Sequence, residues 1–144
     1  MAETLGSLCD KLTIVKLKLY HSDDQDKLRN LEQQQGLLVI EIDEFIADAI
    51  NGLIPLSKLT FRSNKVFKQD ENVVRDIKGS IGVVVSKLAE INCLLWHEQE
   101  KVYDFKNVPP EEKNQVVKQL AILNLERTKC IDVIDNSFAG LIHQ

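Results

Sequence analysis

The chain has little of what tight turns, covalent cross-links and membrane spans require. Six glycines and three prolines in 144 residues are too few for a tightly turned β architecture. The three cysteines, Cys9, Cys93 and Cys130, are odd in number, far apart and set in apolar helical patterns. That excludes a disulfide framework and fits reduced thiols in the cytoplasm. No CxxC or HxxxH spacing occurs, so a structural zinc site has no close ligand pair. No apolar run reaches the roughly 18 residues of a spanning helix, and the first residues have no basic stretch followed by an apolar one, so neither membrane insertion nor a secretory signal is expected. Lys and Arg number 18 against 22 Asp and Glu, a net charge of −4 with the cations spread along the chain, which leaves no footprint for nucleic acid. What remains is 44% apolar and 28% charged residues, enough for a single helical domain over 1–144 with its own core.

Apolar spacing divides the chain into four helical seams. The series Leu5, Leu8, Leu12, Val15, Leu19 steps by 3 and 4, as a helix packing at a shallow angle on neighbours requires. The second runs Leu28, Leu31, Gln35, Leu38, Ile42, Phe45, Ala49; the third Ile77, Ile81, Val84, Leu88, Ile91, Leu95, Glu98, Val102, Phe105; the fourth Val117, Leu120, Asn124, Arg127, Ile131, Ile134, Phe138. Ser22 with Gln25 predicts a capping box for the second helix, and Asp70 or Asn72 a cap for the third. Pro109 and Pro110 followed by Glu111 and Glu112 predict the start of the fourth. Asn51, Gly52 and Pro55 end the second. Gly79 and Gly82 then fall inside the third helix, where each costs about 1 kcal/mol relative to Ala unless a close contact or bend needs it. Links of about five residues within each helix pair predict antiparallel hairpins. The segment 53–69 carries Lys58, Arg62, Lys65 and Lys68 with no acidic residue and forms a longer crossover. The expectation is an all-α, long up-down-up-down four-helix bundle with that crossover between helices 2 and 3.

The informative positions are polar residues in apolar slots: Gln35, Glu98, Asn124 and Arg127. Burying a charge without a partner costs several kcal/mol, so each must be paired, solvated or functional. Counting from the hairpin turns puts Lys11, Glu41, Asn92, Asn124 and Arg127 in a slab roughly 6 Å thick. This predicts a mid-bundle polar layer with Glu41 as the counter-charge of Arg127, since guanidinium and carboxylate meet in bidentate geometry. Such a layer either fixes helix register or binds a small anionic or polar ligand through Arg127. Trp96 and Tyr103 lie beside the third seam and either complete the core or form a dimer face. His97 has no Ser or Cys nucleophile at a definable spacing.

Enzyme templates fit less well. A ferritin-like di-iron site needs two ExxH motifs, whereas His21, His97 and His143 follow Lys18, Leu94 and Gly140 at that spacing. The pair Glu41-x-x-Glu44 and Asp132-x-x-Asp135 resembles the all-helical magnesium-dependent nucleotide pyrophosphatases, which use ExxE and ExxD. Here Asp132 stands where the ExxD motif has Glu, and the carboxylates do not share a seam.

The second half, with Asn92, Leu95, Trp96, His97, Glu98 and then Leu123, Asn124, Arg127, Ile134 and Asp135, resembles a bacterial helical family of unknown function with an N-x-x-L-W-H and L-N-x-x-R motif pair. Glu100 stands where that family prefers Asp, and Thr128-Lys129 where it has Asn-Asp. The first half, Asp10-Lys11-Leu12-Thr13-Ile14, resembles a second uncharacterised bacterial group with a D-K-x-T-I opening, sometimes encoded near glycan-assembly genes. The resemblance implies no activity; it implies that Asn92, Trp96, His97, Glu98, Asn124 and Arg127 act together. The expectation is a cytoplasmic binding or assembly module, a homodimer without a cofactor. Its candidate ligand site comprises Lys11, Glu41, Asn92, Trp96, His97, Glu98, Asn124 and Arg127. A magnesium-dependent phosphohydrolase acting on nucleotides or sugar phosphates is the alternative.

Overall fold

A computed structural model describes residues 3–61 and 77–143. Among them are four α helices and no strand: α1 (Leu5–His21), α2 (Gln25–Ile50), α3 (Ile81–Tyr103) and α4 (Pro110–Ile142), with short 3-10 turns at Leu56–Lys58 and Phe105–Asn107. No described helix is long and apolar enough to cross a membrane.

Each start has a local cause. Thr4 caps α1 in a reciprocal box: its hydroxyl accepts from the Ser7 amide at 3.3 Å and its amide donates to the Ser7 hydroxyl at 2.8 Å. Asp24, and not a Ser22–Gln25 box, caps α2 by accepting from the Asp26 and Lys27 amides at 2.9 and 3.3 Å. A carboxylate at the positive end of the helix offers both acceptor and charge. The third helix begins at Ile81 behind Ser80, so Ile77 and Gly79 lie outside it. Gly79 has φ +134°, a left-handed backbone that ends any helical path arriving from before it, and an added Cβ would meet the Val83 side chain at 2.8 Å. Asp70 and Asn72, expected as caps, fall outside the described residues. Pro110 opens α4 with Glu111 and Glu112 in its first turn, as the sequence predicts.

The core forms where α3 and α4 meet α1. On α3 the buried residues Val84, Leu88, Ile91 and Leu95 keep the predicted seam. On α4 the buried set is Val116, Leu123, Glu126, Cys130, Ile134, Asp135 and Phe138. The first four stand one position before the predicted Val117, Asn124, Arg127 and Ile131, so that part of the face is rotated, with Asn124 exposed and Val117 57% exposed, while Ile134 and Phe138 are buried as predicted. Leu59, in the connection after α2, is fully buried in this core.

Contacts are uneven. α1 packs against the other three helices, α3 and α4 pack along each other, and the principal neighbour of α2 is α1. Only Ala49 of α2 is buried, although Ile42, Phe45 and Ile46 reach the core and Phe45 meets Phe138 at 6.1 Å between ring centroids. The N-terminal half of α2 therefore stands at the edge of the core.

Candidate functional site

Asp10 and Thr13 are three apart on α1 and so share one face. Asp10 is buried, and its carboxylate takes Arg127 of α4 side-on: Nε donates to Oδ1 at 2.8 Å and the terminal Nη2 donates to Oδ2 at 2.5 Å. From α3, the Asn92 amide donates to Asp10 Oδ1 at 2.9 Å and to the Thr13 hydroxyl at 2.7 Å. Thr13 in turn donates to the Asp10 carbonyl at 2.7 Å. Three helices are thus tied at one level by four hydrogen bonds, three of them charge-assisted, with the Thr13–Asp10 bond inside α1 as a fifth. The carboxylate raises the Arg127 guanidinium above its ordinary pKa by hydrogen bonding, against the opposing effect of burial.

A second tie lies toward the start of α1. The Gly6 amide donates to Asp135 Oδ1 of α4 at 2.7 Å. A Cβ on Gly6 would lie 2.6 Å from the Ile131 carbonyl oxygen and 2.8 Å from that carboxylate, so only glycine permits the approach. Asp135 thereby places negative charge at the positive end of α1. Around the same end, Glu3 accepts from Ser7 at 2.6 Å and pairs with Lys11. Burial pushes the Glu3 carboxyl up, but the Lys11 and Ser7 contacts outweigh it and hold the pKa below its usual value. Burial, with Asp135 and Asp10 nearby, pushes the Cys9 thiol up.

The structure divides the sequence-predicted site. Asn92 and Arg127 come together at the expected level, but the counter-charge is Asp10 of α1 and not Glu41. Asp10 faces α3 and α4 from the central helix, whereas Glu41 lies exposed on α2, which packs chiefly on α1. Lys11 is exposed and engaged by Glu3, and Asn124 points outward. Glu98, half-buried, pairs with Lys101 at 3.2 Å. Trp96 and His97 belong to another place: Trp96 stacks on His21 with centroids 4.9 Å apart and planes 10° from parallel, and His97 meets His21 edge-on at 6.2 Å. Asp10, Thr13, Gly6, Asp135 and the buried Glu126 were missed. For Asp10 and Thr13 a signal existed in the D-K-x-T-I opening, whose polar residues recur at helical spacing.

Beside the His21–Trp96 stack is an open cleft of about 530 Å³ between the end of α1, the start of α2 and α3. A shallower groove further along α1 and α2 is lined by Lys11, Lys18, Leu37 and Glu41 among others. Among the described residues, no group of three or more His, Cys, Asp or Glu gathers as metal ligands. The Glu41/Glu44 and Asp132/Asp135 pairs accordingly form no such cluster.

Over the described residues, fold and tie together define an all-helical protein whose central helix is held by a buried carboxylate paired with a partly exposed guanidinium. Compared with family models, with curated proteins and with solved structures, the chain matches none.

Proposed function

We propose that the chain is a cytoplasmic, non-enzymatic assembly module that acts as a homodimer through α2. The observation that carries this reading is a set of exposed aliphatic side chains on the outer side of that helix. Val39, Ile40 and Ile50 are 45%, 54% and 66% exposed and lie within about 100° of one another around the helix. Exposed aliphatic side chains gathered on one element mark an interaction surface more often than single ones do. Charge favours an antiparallel pair: the second half of α2 carries Glu41, Asp43, Glu44 and Asp48, whereas in the first half Lys27 and Arg29 are balanced by Asp26 and Glu32. A two-fold axis then sets each acidic half against a neutral one and keeps the two acidic halves apart. The Asp10–Arg127–Asn92 tie has the structural task of fixing helix register, as buried polar residues do in coiled coils. An up-down-up-down path with the crossover between α2 and α3 belongs to the same reading, supported by the short links within the α1/α2 and α3/α4 pairs. Three free cysteines fit a reducing compartment.

Sedimentation velocity tests the proposal. The wild-type chain is expected to sediment as a dimer, and Ile40→Glu as a monomer of unchanged helix content. A wild-type monomer at submillimolar concentration would sink it.

A further inference from the structure

The cleft at the other end of α1 belongs neither to the polar tie nor to the exposed aliphatic set of α2. Its walls are Lys18 and His21 from α1, Lys27, Asn30 and Gln34 from α2, and Trp96 from α3. Lys27, Asn30, Leu31 and Gln34 recur at helical spacing, so one stripe of α2 turns toward it. That stripe is polar where a closed bundle would be apolar, which keeps the N-terminal half of α2 apart from α3. At about 530 Å³ the space lies within the range of sites for small organic molecules.

The chemistry is specific. Among the described residues, the side chains of Lys18, Lys27, Asn30 and Gln34 make no hydrogen bond or ion pair with the protein. Two ammonium groups and two amides, from two helices, thus line one solvent-open volume without a protein partner. Two carboxylates, Asp23 and Asp24, line the same cleft. Asp24 is engaged by two backbone amides at the start of α2, and Asp23 lies exposed in the turn. The His21–Trp96 stack supplies a flat aromatic wall on which a further ring gains about 0.5–1.5 kcal/mol beyond its buried area.

We infer that this cleft binds a small anion that carries a flat ring: the stack takes the ring, Lys18 and Lys27 take the anionic group, and Asn30 and Gln34 read polar atoms of the ring. The inference does not depend on the α2 dimer. Trp96 is the sole tryptophan, so its fluorescence reports on the cleft directly. Titration with each of the four common nucleoside monophosphates, with adenosine and with inorganic phosphate tests it. At least one monophosphate is expected to give a saturable change, with adenosine and phosphate each weaker by about tenfold or more. Lys18→Gln and Lys27→Gln should each weaken the monophosphate by about tenfold, the scale of a charged hydrogen bond, and leave adenosine unchanged. No saturable change with any monophosphate overturns the inference. So does phosphate binding as tightly as the nucleotide, or lysine variants that bind like wild type. Repeating the titration with Ile40→Glu separates its failure from failure of the dimer.

Discussion

Asp10 and His21 stand on the same helix, about three turns apart, and face the same α3, yet one is sealed and the other open. At Asp10 every polar group meets a partner from the chain itself: Arg127 from α4, and Asn92 from α3, which also engages Thr13. At His21 the neighbouring groups are of comparable polarity, but Lys18, Lys27, Asn30 and Gln34 point into a common space. The difference lies in α2. Around Asp10 only α1, α3 and α4 are needed, and their core residues draw them together. At the His21 end closure requires the N-terminal half of α2, whose inner stripe offers amides and ammonium groups that gain nothing by leaving water. A polar seam residue therefore locks register where a complementary residue reaches it, and holds a cleft open where none does.

The largest test of that contrast is to remove a partner at the sealed end. Arg127→Ala leaves the Asp10 carboxylate buried, and a loss of about 3 kcal/mol in urea unfolding is expected. The double variant Asp10→Leu/Arg127→Leu should recover most of it, because the uncompensated charge goes as well. Lys27→Ala at the open end should change stability by less than about 0.5 kcal/mol. Equal losses at the two ends would erase the distinction. A smaller effect of the same kind lies in the glycines. Gly6→Ala forces α1 away from the Ile131 carbonyl, and about 2 kcal/mol of destabilisation is expected in the same assay. Gly36→Ala meets nothing within 4 Å on the exposed side of α2 and should stabilise by up to about 1 kcal/mol.

The helices were legible because periodicity is local. The α3 seam from Val84 to Leu95 is buried as its spacing demands, and Pro110 starts α4 where prolines belong. The level of Arg127 and Asn92 was legible too, since rise per residue converts a count into a height. Rotation was not. A shift of one position along α4 turns its face by about 100°, enough to expose Asn124 and bury Glu126. Counting heights cannot say which helix supplies a counter-charge, so Glu41 and Asp10 were equivalent until the helices had neighbours. Gly6 and Asp135 are 129 positions apart, and nothing local in either segment announces the contact.

The smallest expected effect concerns two groups beside the sealed end that titrate in opposite senses. The Glu3 carboxyl is held low by Lys11 and Ser7 against burial, so its contribution is complete above the ordinary Glu value of about 4.3 and is lost as pH falls through the lower folded value. The Cys9 thiol is held high by burial, then by Asp135 and Asp10. Its unfolded form sheds a proton first, near pH 8.5 or so, and between the unfolded and folded values the native state binds more protons. Stability therefore declines as pH rises through that window. Urea unfolding of wild type and Cys9→Ser, compared point by point, should show curves that run parallel at neutral pH and converge or cross on the alkaline side. Parallel curves throughout would mean that Cys9 ionises as freely in the folded chain as in the unfolded one, and that the tie around Asp10 leaves water a path to its sulfur.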